Sequence, residues 1–502
     1  MDGEGDHTER EFKFDVGLDF DLPDLGHLVG STERLSDLTL RAVYFDTRGL
    51  RLWRRGVTLR HRSGEGPGDG FWTLKLPVAD RGKTLDRTEL AWAGTRYLVP
   101  ADATRILRGL TREDPLDPVA ELATARRRLV LHDRQERPLA ELDDDIVTVI
   151  VGGERGHRFR QVELELASAR PEAMDGILAA LHRAGALPGG EQKLGTALRL
   201  AGRITDPPDP RILTKRSSIG DVVRAFIGND LDRMLHYDYR LRLQPSDPSP
   251  QDIHQARVAT RRLRSDLKLV GDRLEPKSLR HLLDELQWLA GKLGAVRDAD
   301  VLACDHLPAG RETTELRKVS TDERRRAAQD LTEVMGGSRY LSLLDRLEVV
   351  SATPPFRRSR RRGGPDVAAV DVMPGLVRHR WATLRRAVRK AGQHPSDAQL
   401  HKIRIQAKQL RYSAELAGPI LGKPARRMSD RAEAVQTVLG EHHDAVTAEQ
   451  WLLRQAGMGS RMVAFSAGML VAEERHRQRE LERAWRHVWA ELDHKRLVRS
   501  LH

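Results

Sequence analysis

The sequence predicts an α+β protein of more than one domain, in which an antiparallel β domain precedes an all-α domain. The chain has 502 residues, more than a single hydrophobic core normally serves. Apolar and polar residues alternate in short runs before position 205, whereas apolar residues recur at helical spacing further on, as at Leu282, Leu286 and Leu289. Residues 205–210 read Thr-Asp-Pro-Pro-Asp-Pro, which favours an extended linker between the two parts. We therefore expect a β domain at 1–203, a linker at 204–216 and a helical domain at 217–495.

The helical part contains an internal repeat. The segment 254–264 corresponds to 401–411, and 293–298 corresponds to 439–444, at nearly equal offsets. A duplicated helical unit is therefore expected.

A second break separates the two copies. Residues 351–373 contain paired prolines, a run of arginines and paired glycines, a composition typical of a basic, flexible connector. The two halves are thus expected at about 217–350 and 374–495.

Composition narrows the class of protein. With 39% hydrophobic and 31% charged residues the chain is neither collagen-like nor fully disordered. Residues 1–205 carry 31 basic and 34 acidic side chains, whereas 206–502 carry 54 and 39, so the C-terminal part is expected to bind an acidic partner. The single cysteine, Cys304, argues against a disulfide scaffold. The acidic N-terminus is unlike a secretory signal, and the longest apolar run, 462–472, is too short to span a membrane. A cytoplasmic protein is expected.

Each copy of the repeat carries a row of cations on one helix face. The rows are His254, Arg257, Arg261, Arg264 and Lys268 in the first copy, and His401, Arg404, Lys408 and Arg411 in the second. A solvated face is the commonest cause of such a row, but it normally mixes signs, and neither eleven-residue segment contains an acid. A bound polyanion explains like charges that recur at matching places. Aromatic residues are scarce and do not interleave with the rows, which favours inorganic polyphosphate over nucleic acid.

The repeated H-x-x-R-[VI]-x-x-[RK]-x-L-R pattern, followed by L-G-x-x-[RH]-D, resembles the CHAD domain over about residues 217–495. The resemblance implies two pseudo-symmetric helical bundles with a basic central cavity that binds inorganic polyphosphate. By match, the cavity would be lined by His254, Arg257, Arg261, Arg262, Arg264, Lys292, Arg297, His401, Lys402, Arg404, Lys408 and Arg411.

Charged side chains also share faces of the predicted strands. Glu9, Glu11 and Lys13 alternate with Phe12 and Phe14, and similar purely acidic or basic faces recur along the β domain. A sheet with one solvated face is the ordinary explanation. Gathered in one barrel, however, the carboxylates would attract a divalent cation and the lysines and arginines would attract phosphate.

The ordered series Glu9-x-Glu11-x-Lys13, Arg60-x-Arg62, Lys75 and Arg87-x-Glu89 resembles the CYTH domain, a triphosphate tunnel metalloenzyme, over residues 7–203. The resemblance implies a closed antiparallel β tunnel that acts on triphosphates with Mg²⁺ or Mn²⁺. Phosphate would be bound by Lys13, Arg41, Arg60, Arg62, Lys75, Arg87 and Lys193, and metal by Glu9, Glu11, Glu141, Asp145, Glu163 and Glu165. Of these, Glu9, Glu11, Lys13 and Lys75 are the expected catalytic residues.

The expected activity is metal-dependent hydrolysis of tripolyphosphate, with the helical domain holding long-chain polyphosphate or polyphosphate granules. Two alternatives remain open at the level of sequence. The protein could bind polyphosphate without catalysis, or the tunnel could act on ATP, as an adenylate cyclase does, or on thiamine triphosphate. The sequence does not fix the oligomeric state.

Overall fold

The chain forms two compact units, residues 1–209 (the sheet unit) and 210–502 (the helical unit). The structure is a computed structural model that describes residues 7–9, 11–64, 68, 70–77, 87–151, 154–167, 174–189, 192–204, 211–357, 364–499 and 501.

The described residues of the sheet unit form one antiparallel sheet and three α-helices. Its strands are β1 (His7–Glu9), β2 (Glu11–Val16), β3 (Ser31–Arg34), β4 (Leu38–Asp46), β5 (Thr58–Ser63), β6 (Phe71–Pro77), β7 (Arg87–Ala93), β8 (Asp117–His132), β9 (Pro138–Val151), β10 (Glu154–Leu166) and β11 (Leu187–Pro188). Its helices are α1 (Ala101–Thr111), α2 (Asp175–Arg183) and α3 (Lys193–Leu200), with short 3-10 helices at Gly26–Leu28 and Trp53–Arg55.

Two apolar clusters lie on opposite faces of this sheet. On one face Phe14, Leu142 and Val162 pack against α2, whose Ile177 and Leu181 are four residues apart and so share one side of the helix. On the other face Leu122 and Val147 pack against Leu194 and Leu198 of α3. Side chains alternate between the two faces along a strand. Strand residues that are paired with members of the α3 cluster therefore point to the face on which α3 packs.

The strand order is β1-β7-β6-β5-β4-β8-β9-β10-β2-β11, with β3 paired to β8. The predicted antiparallel sheet is confirmed, but the predicted closed tunnel is wrong, since among the described strands the hydrogen-bonded path has two ends. The cause lies in the N-terminal segment, which divides its pairing. His7–Glu9 pair with β7, whereas Glu11–Val16 pair with β10, so neither β1 nor β2 is hydrogen-bonded to both edges.

The described part of the helical unit consists mainly of α-helices. They are α4 (Ile219–Leu243), α5 (Pro250–Leu269), α6 (Pro276–Val301), α7 (Thr314–Gly336), α8 (Ser338–Ala352), α9 (Ala369–Ala391), α10 (Asp397–Leu421), α11 (Lys423–Met458), α12 (Arg461–Leu492) and α13 (Lys495–Arg499), with a 3-10 turn at Gly271–Arg273 and a π-helical turn at Leu302–His306.

The duplicated sequence gives a duplicated arrangement. Helix α5 packs against α4 and α6, and its counterpart α10 packs against α9 and α11. The two repeat helices also contact each other, which brings the two cationic rows to one place. The expected all-α region with two related halves is confirmed. Helix α9 begins at Ala369, inside the segment predicted as a connector, and includes Pro374 in its second turn. Among the described residues, none of the helices combines the length and apolar character needed to cross a membrane.

Candidate functional site

One face of the sheet gathers the charged residues of several strands, and we call it the charged face. In register, Glu163 of β10 lies opposite Lys13 of β2 on one side and Asp143 of β9 on the other, and Asp143 in turn lies opposite Arg128 of β8. Directly paired residues point to the same side of a sheet. The charged face comprises Glu11, Lys13, Arg60, Arg62, Lys75, Glu89, Arg126, Arg128, Glu141, Asp143, Asp145 and Glu163.

Glu163 is the centre of an ion-pair network on this face. Its two oxygens receive one lysine each, with Lys13 Nζ at 2.8 Å and Lys193 Nζ at 2.6 Å. Arg126 adds a third contact at 3.4 Å. Burial alone would raise the pKa of Glu163, but Lys13, Lys193 and Arg126 hold that pKa well below its ordinary value. Glu163 is therefore a carboxylate that remains ionised in contact with three cations.

Asp143 and Asp145 lie two residues apart on β9 and have opposite pKa shifts. Arg126 binds both, and Lys193 Nζ lies 2.7 Å from Asp145. Burial would raise the pKa of Asp145, but Lys193 and Arg126 lower it. Burial raises the pKa of Asp143 to about 7. The negative charges of Asp145, Glu141 and Glu163 add to this shift, whereas Arg126 opposes it. The buried Oδ1 of Asp143 accepts no hydrogen bond from any described residue.

The sheet curves enough to bring its distant strands together. Three strands separate β4 from β2 in the sheet order. Nevertheless, Tyr44 of β4 interacts with Lys13 of β2 as well as with Arg60 and Lys193. Burial would raise the pKa of the Tyr44 phenol, but these three cations lower it. The charged face is therefore concave, and opposite parts of it can contact one small ligand.

The far part of the charged face is mainly cationic. Lys75 Nζ lies 3.0 Å from Glu89, which interacts with Arg60 and Arg62 as well. Burial opposes ionisation of Glu89, but the positive charges of Lys75, Arg60 and Arg62 lower its pKa. Among the described residues, Glu89 thus interacts with three cations at once, and lysine and arginine side chains gathered in this way suit phosphate oxygens.

The helical unit brings its two cationic rows together between α5 and α10. His254 of the first row feels the charges of Arg257, Arg261 and Arg297, and also that of Lys408 from the second row. Arg261 donates to the Tyr412 hydroxyl of α10 at 2.9 Å. We call the set His254, Arg257, Arg261, Arg297, His401, Arg404, Lys408 and His443 the basic cluster.

Mutual repulsion in the basic cluster changes how its members titrate. Burial, followed by the charges of Arg261, Arg404 and Arg257, lowers the pKa of Lys408 to about 6. Burial and Arg404 lower the pKa of His443 to about 4, and its Nδ1 lies 3.2 Å from His401 Nδ1. Asp298 and Asp444 supply the opposing negative charge, Asp298 through a 2.7 Å contact with Arg257. Without an anion the cluster thus keeps Lys408 largely neutral at pH 7.

Comparison with known protein families matches both units. The sequence model of the CYTH domain matches residues 7–192, and that of the CHAD domain matches residues 225–453. The chain belongs to the CYTH and CHAD families. An uncharacterized protein of Mycobacterium tuberculosis, found in two strains, is 31% identical over 480 residues, which are 90% of this chain and 89% of that protein.

Two solved structures are each similar to a part of this chain. The CHAD domain from the plant Ricinus communis is 25% identical, covers 55% of this chain and 94% of its own, and has a TM-score of 0.46. A Hippeastrum protein described as having a dominant triphosphatase activity is 16% identical, covers 40% of this chain and 99% of its own, and has a TM-score of 0.26.

The charged face of the CYTH domain fits the divalent metal ion on which enzymes of this family depend. Asp143 has an unsatisfied buried oxygen, and Asp145 and Glu163 lie beside it on neighbouring strands. Hard divalent cations prefer such carboxylate oxygens. Glu11 is buried near the same row and lies 3.2 Å from Lys13. These four acids are therefore the residues that would hold the ion.

The expected residues of the CYTH domain differ in position, since Arg41 lies off the charged face whereas Glu141 and Glu165 share it. Arg41 lies on the opposite side of β4 from Tyr44, is 56% exposed and pairs with Glu121. Glu141 pairs with Arg128 at 2.6 Å, and Glu165 is exposed although in register with Glu11. The side chains of Glu9 and Arg87 lie outside the described residues, but their backbones are paired in the β1–β7 register.

The CHAD domain similarly does not gather every expected cation. Arg262 pairs with Glu415 at 2.8 Å, and Lys292 pairs with Asp330 at 2.9 Å. Arg411 binds Glu415 as well, Arg264 binds Gln287, and Lys402 is exposed. The residue next to a helical row points to another side, which accounts for Arg262 and Lys402.

Sequence reasoning missed Arg126 and Arg128 as members of the charged face, and it left Asp143 out of the expected metal ligands. The alternation that selected Arg60 and Arg62 also applies to Arg126 and Arg128, which flank Arg127 on β8. The run of three arginines conceals this alternation, because Arg127 is charged as well and no apolar residue separates Arg126 from Arg128. In the CHAD domain, His443 was visible only as a difference between the two repeats.

Proposed function

We propose that the CYTH domain is a triphosphatase that hydrolyses inorganic tripolyphosphate to diphosphate and phosphate with Mg²⁺ or Mn²⁺. The observation that carries the proposal is the pairing of Lys13 and Lys193 with opposite oxygens of Glu163. Such a network holds phosphate-binding cations and metal-binding carboxylates in contact before the substrate arrives. A metal-bound triphosphate supplies both signs of charge and can replace these internal pairs without leaving an ion unpaired.

The proposed role of each residue follows from the charge of its side chain. Lys13, Lys193 and Arg60 would bind phosphate oxygens, while Glu163, Asp145 and Glu11 turn to the cation. When bound, the cation neutralises phosphate charge and polarises the phosphorus–oxygen bond. One carboxylate of this acidic set would take the proton from the attacking water. The water oxygen then bonds to the terminal phosphorus as the bond to diphosphate breaks, and the lysines and arginines stabilise the leaving charge.

The distribution of charge favours an inorganic substrate over ATP or thiamine triphosphate. Charged side chains run from Lys13 and Glu163 to Lys75 and Glu89, across the described part of the face. A substrate charged along its whole length suits this lining, whereas a nucleoside or thiamine group would bring an uncharged portion to it.

The test is phosphate release from tripolyphosphate, ATP and thiamine triphosphate, each with Mg²⁺ and with Mn²⁺. We expect tripolyphosphate to be the preferred substrate and Glu163→Gln to lower its turnover by about 100-fold or more, since removal of one electrostatic group in an active site costs about that factor. Glu113→Gln, a matched change at a side chain that is 76% exposed, should leave turnover unchanged. Circular dichroism of both variants separates lost chemistry from lost folding. Unchanged turnover in Glu163→Gln, or preference for ATP, would contradict the proposal.

We also propose that the CHAD domain binds long-chain inorganic polyphosphate through the basic cluster. Two helices contribute cations to one place, and burial lowers the pKa values of Lys408 and Arg404, as expected of a site whose charge is completed by an anion. The lining is cationic rather than aromatic, which supports a polymer without bases.

A filter-binding assay with polyphosphate and single-stranded RNA at increasing salt tests this second proposal. Polyphosphate should bind more tightly at every salt concentration. Arg404→Gln should weaken binding by about 10-fold or more, because it removes a charged hydrogen-bond donor. Lys402→Gln, on the same helix but exposed, should have little effect. Equal affinity for the two polymers, or equal effects of the two substitutions, would refute it.

A further inference from the structure

Three side chains from three helices converge in the helical unit, away from the residues assigned above to catalysis. They are Asp397 at the start of α10, His442 in α11 and Glu482 in α12. The Nε2 atom of His442 lies 3.8 Å from a carboxylate oxygen of Asp397 and 3.7 Å from one of Glu482. One donor atom from each residue therefore lies around a common point.

His442 is incompletely satisfied in this arrangement. Its residue is only 2% exposed, and its Nε2 makes no hydrogen bond with any described residue. The distances to the two carboxylates exceed hydrogen-bonding range. A buried polar atom without a partner destabilises the folded state, so a ligand at this point would remove that penalty.

The spacing and the donor types fit a metal ion. Bonds from zinc to imidazole nitrogen and carboxylate oxygen are about 2.0–2.2 Å, so donors at tetrahedral angles lie roughly 3.3–3.5 Å apart. The two separations from His442 need to close by only a few tenths of an ångström, and the three donor atoms lie within 4.8 Å of one another. An imidazole ligand favours ions of the zinc type over Mg²⁺. We propose that Asp397, His442 and Glu482 bind one divalent transition-metal ion, with a fourth position left to water.

The ion would act as a clip on the helix that carries the second cationic row. The side chains of Asp397 and Glu482 are 60% and 45% exposed, so the ion can enter from solvent while His442 anchors it from inside. Asp397 follows the capping residue Ser396 and opens α10. The clip would thus fix the first turn of α10 to α11 and α12, one turn before His401.

Metal binding to the chelator-treated full-length protein tests the site. Equilibrium dialysis should show one more Zn²⁺ per chain in the wild type than in Asp397→Asn/Glu482→Gln, or a loss of affinity above about 100-fold at that site, since changes even in outer-shell partners cost about 10–100-fold. Co²⁺ should give visible absorption bands that the double variant lacks. Excess Mg²⁺ should not displace Zn²⁺ from this site.

The matched control is Asp430→Asn/Glu480→Gln, which removes two exposed carboxylates from α11 and α12 and gives the same change in charge. It should keep the metal and the Co²⁺ spectrum. Equal Zn²⁺ binding by wild type and Asp397→Asn/Glu482→Gln would overturn the proposal, as would equal losses in both double variants. Either result would mean that His442 lies between two carboxylates without binding a metal ion. Because wild type and variants share the CYTH domain, metal bound there cancels in the comparison.

Discussion

Lys408 offers the most quantitative test of the basic cluster. Its pKa is about 6 in the free protein, where burial and the charges of Arg261, Arg404 and Arg257 oppose its ionisation. Bound phosphates would supply the missing negative charge and return the pKa towards its ordinary value of about 10.5. At pH 8 the free side chain is about 99% neutral by this pKa, so binding should take up nearly one proton. The affinity for polyphosphate should then fall about tenfold per pH unit between pH 7 and 9.

Titration calorimetry at pH 8, in two buffers with different enthalpies of ionisation, measures this proton uptake directly. The experiment uses long-chain polyphosphate, a fixed salt concentration and the full-length Glu163→Gln protein, so that the CYTH domain does not hydrolyse the polymer. The neighbouring histidines, His254, His401 and His443, have lowered pKa values and titrate mainly below this window. Lys408 is therefore the group that the measurement reports.

Two substitutions separate the titration of Lys408 from the rest of the site. Lys408→Met should abolish the uptake and weaken binding below pH 7, where the wild-type lysine gains charge. Lys408→Arg, whose guanidinium stays charged, should bind with little dependence on pH. Lys408→Met should also stabilise the free protein at pH 7. The pKa shift sets a ceiling of about 5 kcal/mol. Because solvent screens this partly exposed group, we expect about 1–3 kcal/mol. A wild-type affinity that is constant from pH 7 to 9, without proton uptake, would refute the reasoning.

Three further predictions concern the charged face of the CYTH domain. Arg126→Met should destabilise the domain by about 3–5 kcal/mol in urea unfolding, because it leaves Asp143 and Asp145 buried without their shared partner; a loss below 1 kcal/mol would contradict the network. Folding raises the pKa of Asp143, so the contribution of this residue to stability should decline as the pH rises from about 4 to 7. Thermal melts of Asp143→Asn at several pH values should show a smaller decline than those of the wild type. Ultraviolet titration should find one tyrosine that ionises below the ordinary pKa of tyrosine, and Tyr44→Phe should remove that transition; the same titration curve in both proteins would show that the cations do not act on Tyr44.

Much of the architecture could be read from periodicity alone. Alternation along a strand, and the three-and-four spacing of a helix, decide which side chains share a side before any fold is known. Hence Lys13 and Glu11 were placed together correctly, and so were Arg257 and Arg261. The same rule cannot say which side of a strand becomes the concave one, because that depends on its neighbours. Arg41 was therefore expected near phosphate, whereas the structure places it on the other side of β4 from Tyr44.

The prediction of a closed tunnel was wrong for a related reason. Closure depends on how one short segment shares its hydrogen bonds between two edges, and residues 7–16 divide theirs. Nothing in the pattern Glu9-x-Glu11-x-Lys13 reveals that division, since each residue alternates correctly for either partner. The cluster of Asp397, His442 and Glu482 was equally invisible, because its members are far apart in sequence and belong to three helices.

By itself, the sequence determined the two families, the order of the domains, the concentration of positive charge in the second part, and the side of each element that bears charge. Tertiary structure decided which opposite charges meet and therefore how each group ionises. Asp143 and Asp145 are identical side chains on one face of one strand, yet the pKa of one rises and that of the other falls. Of these two aspartates, it is Asp145 that pairs with Lys193, a residue forty-eight positions further along the chain. Coulomb energy depends on distance and on exclusion of water, and only the folded chain sets either one.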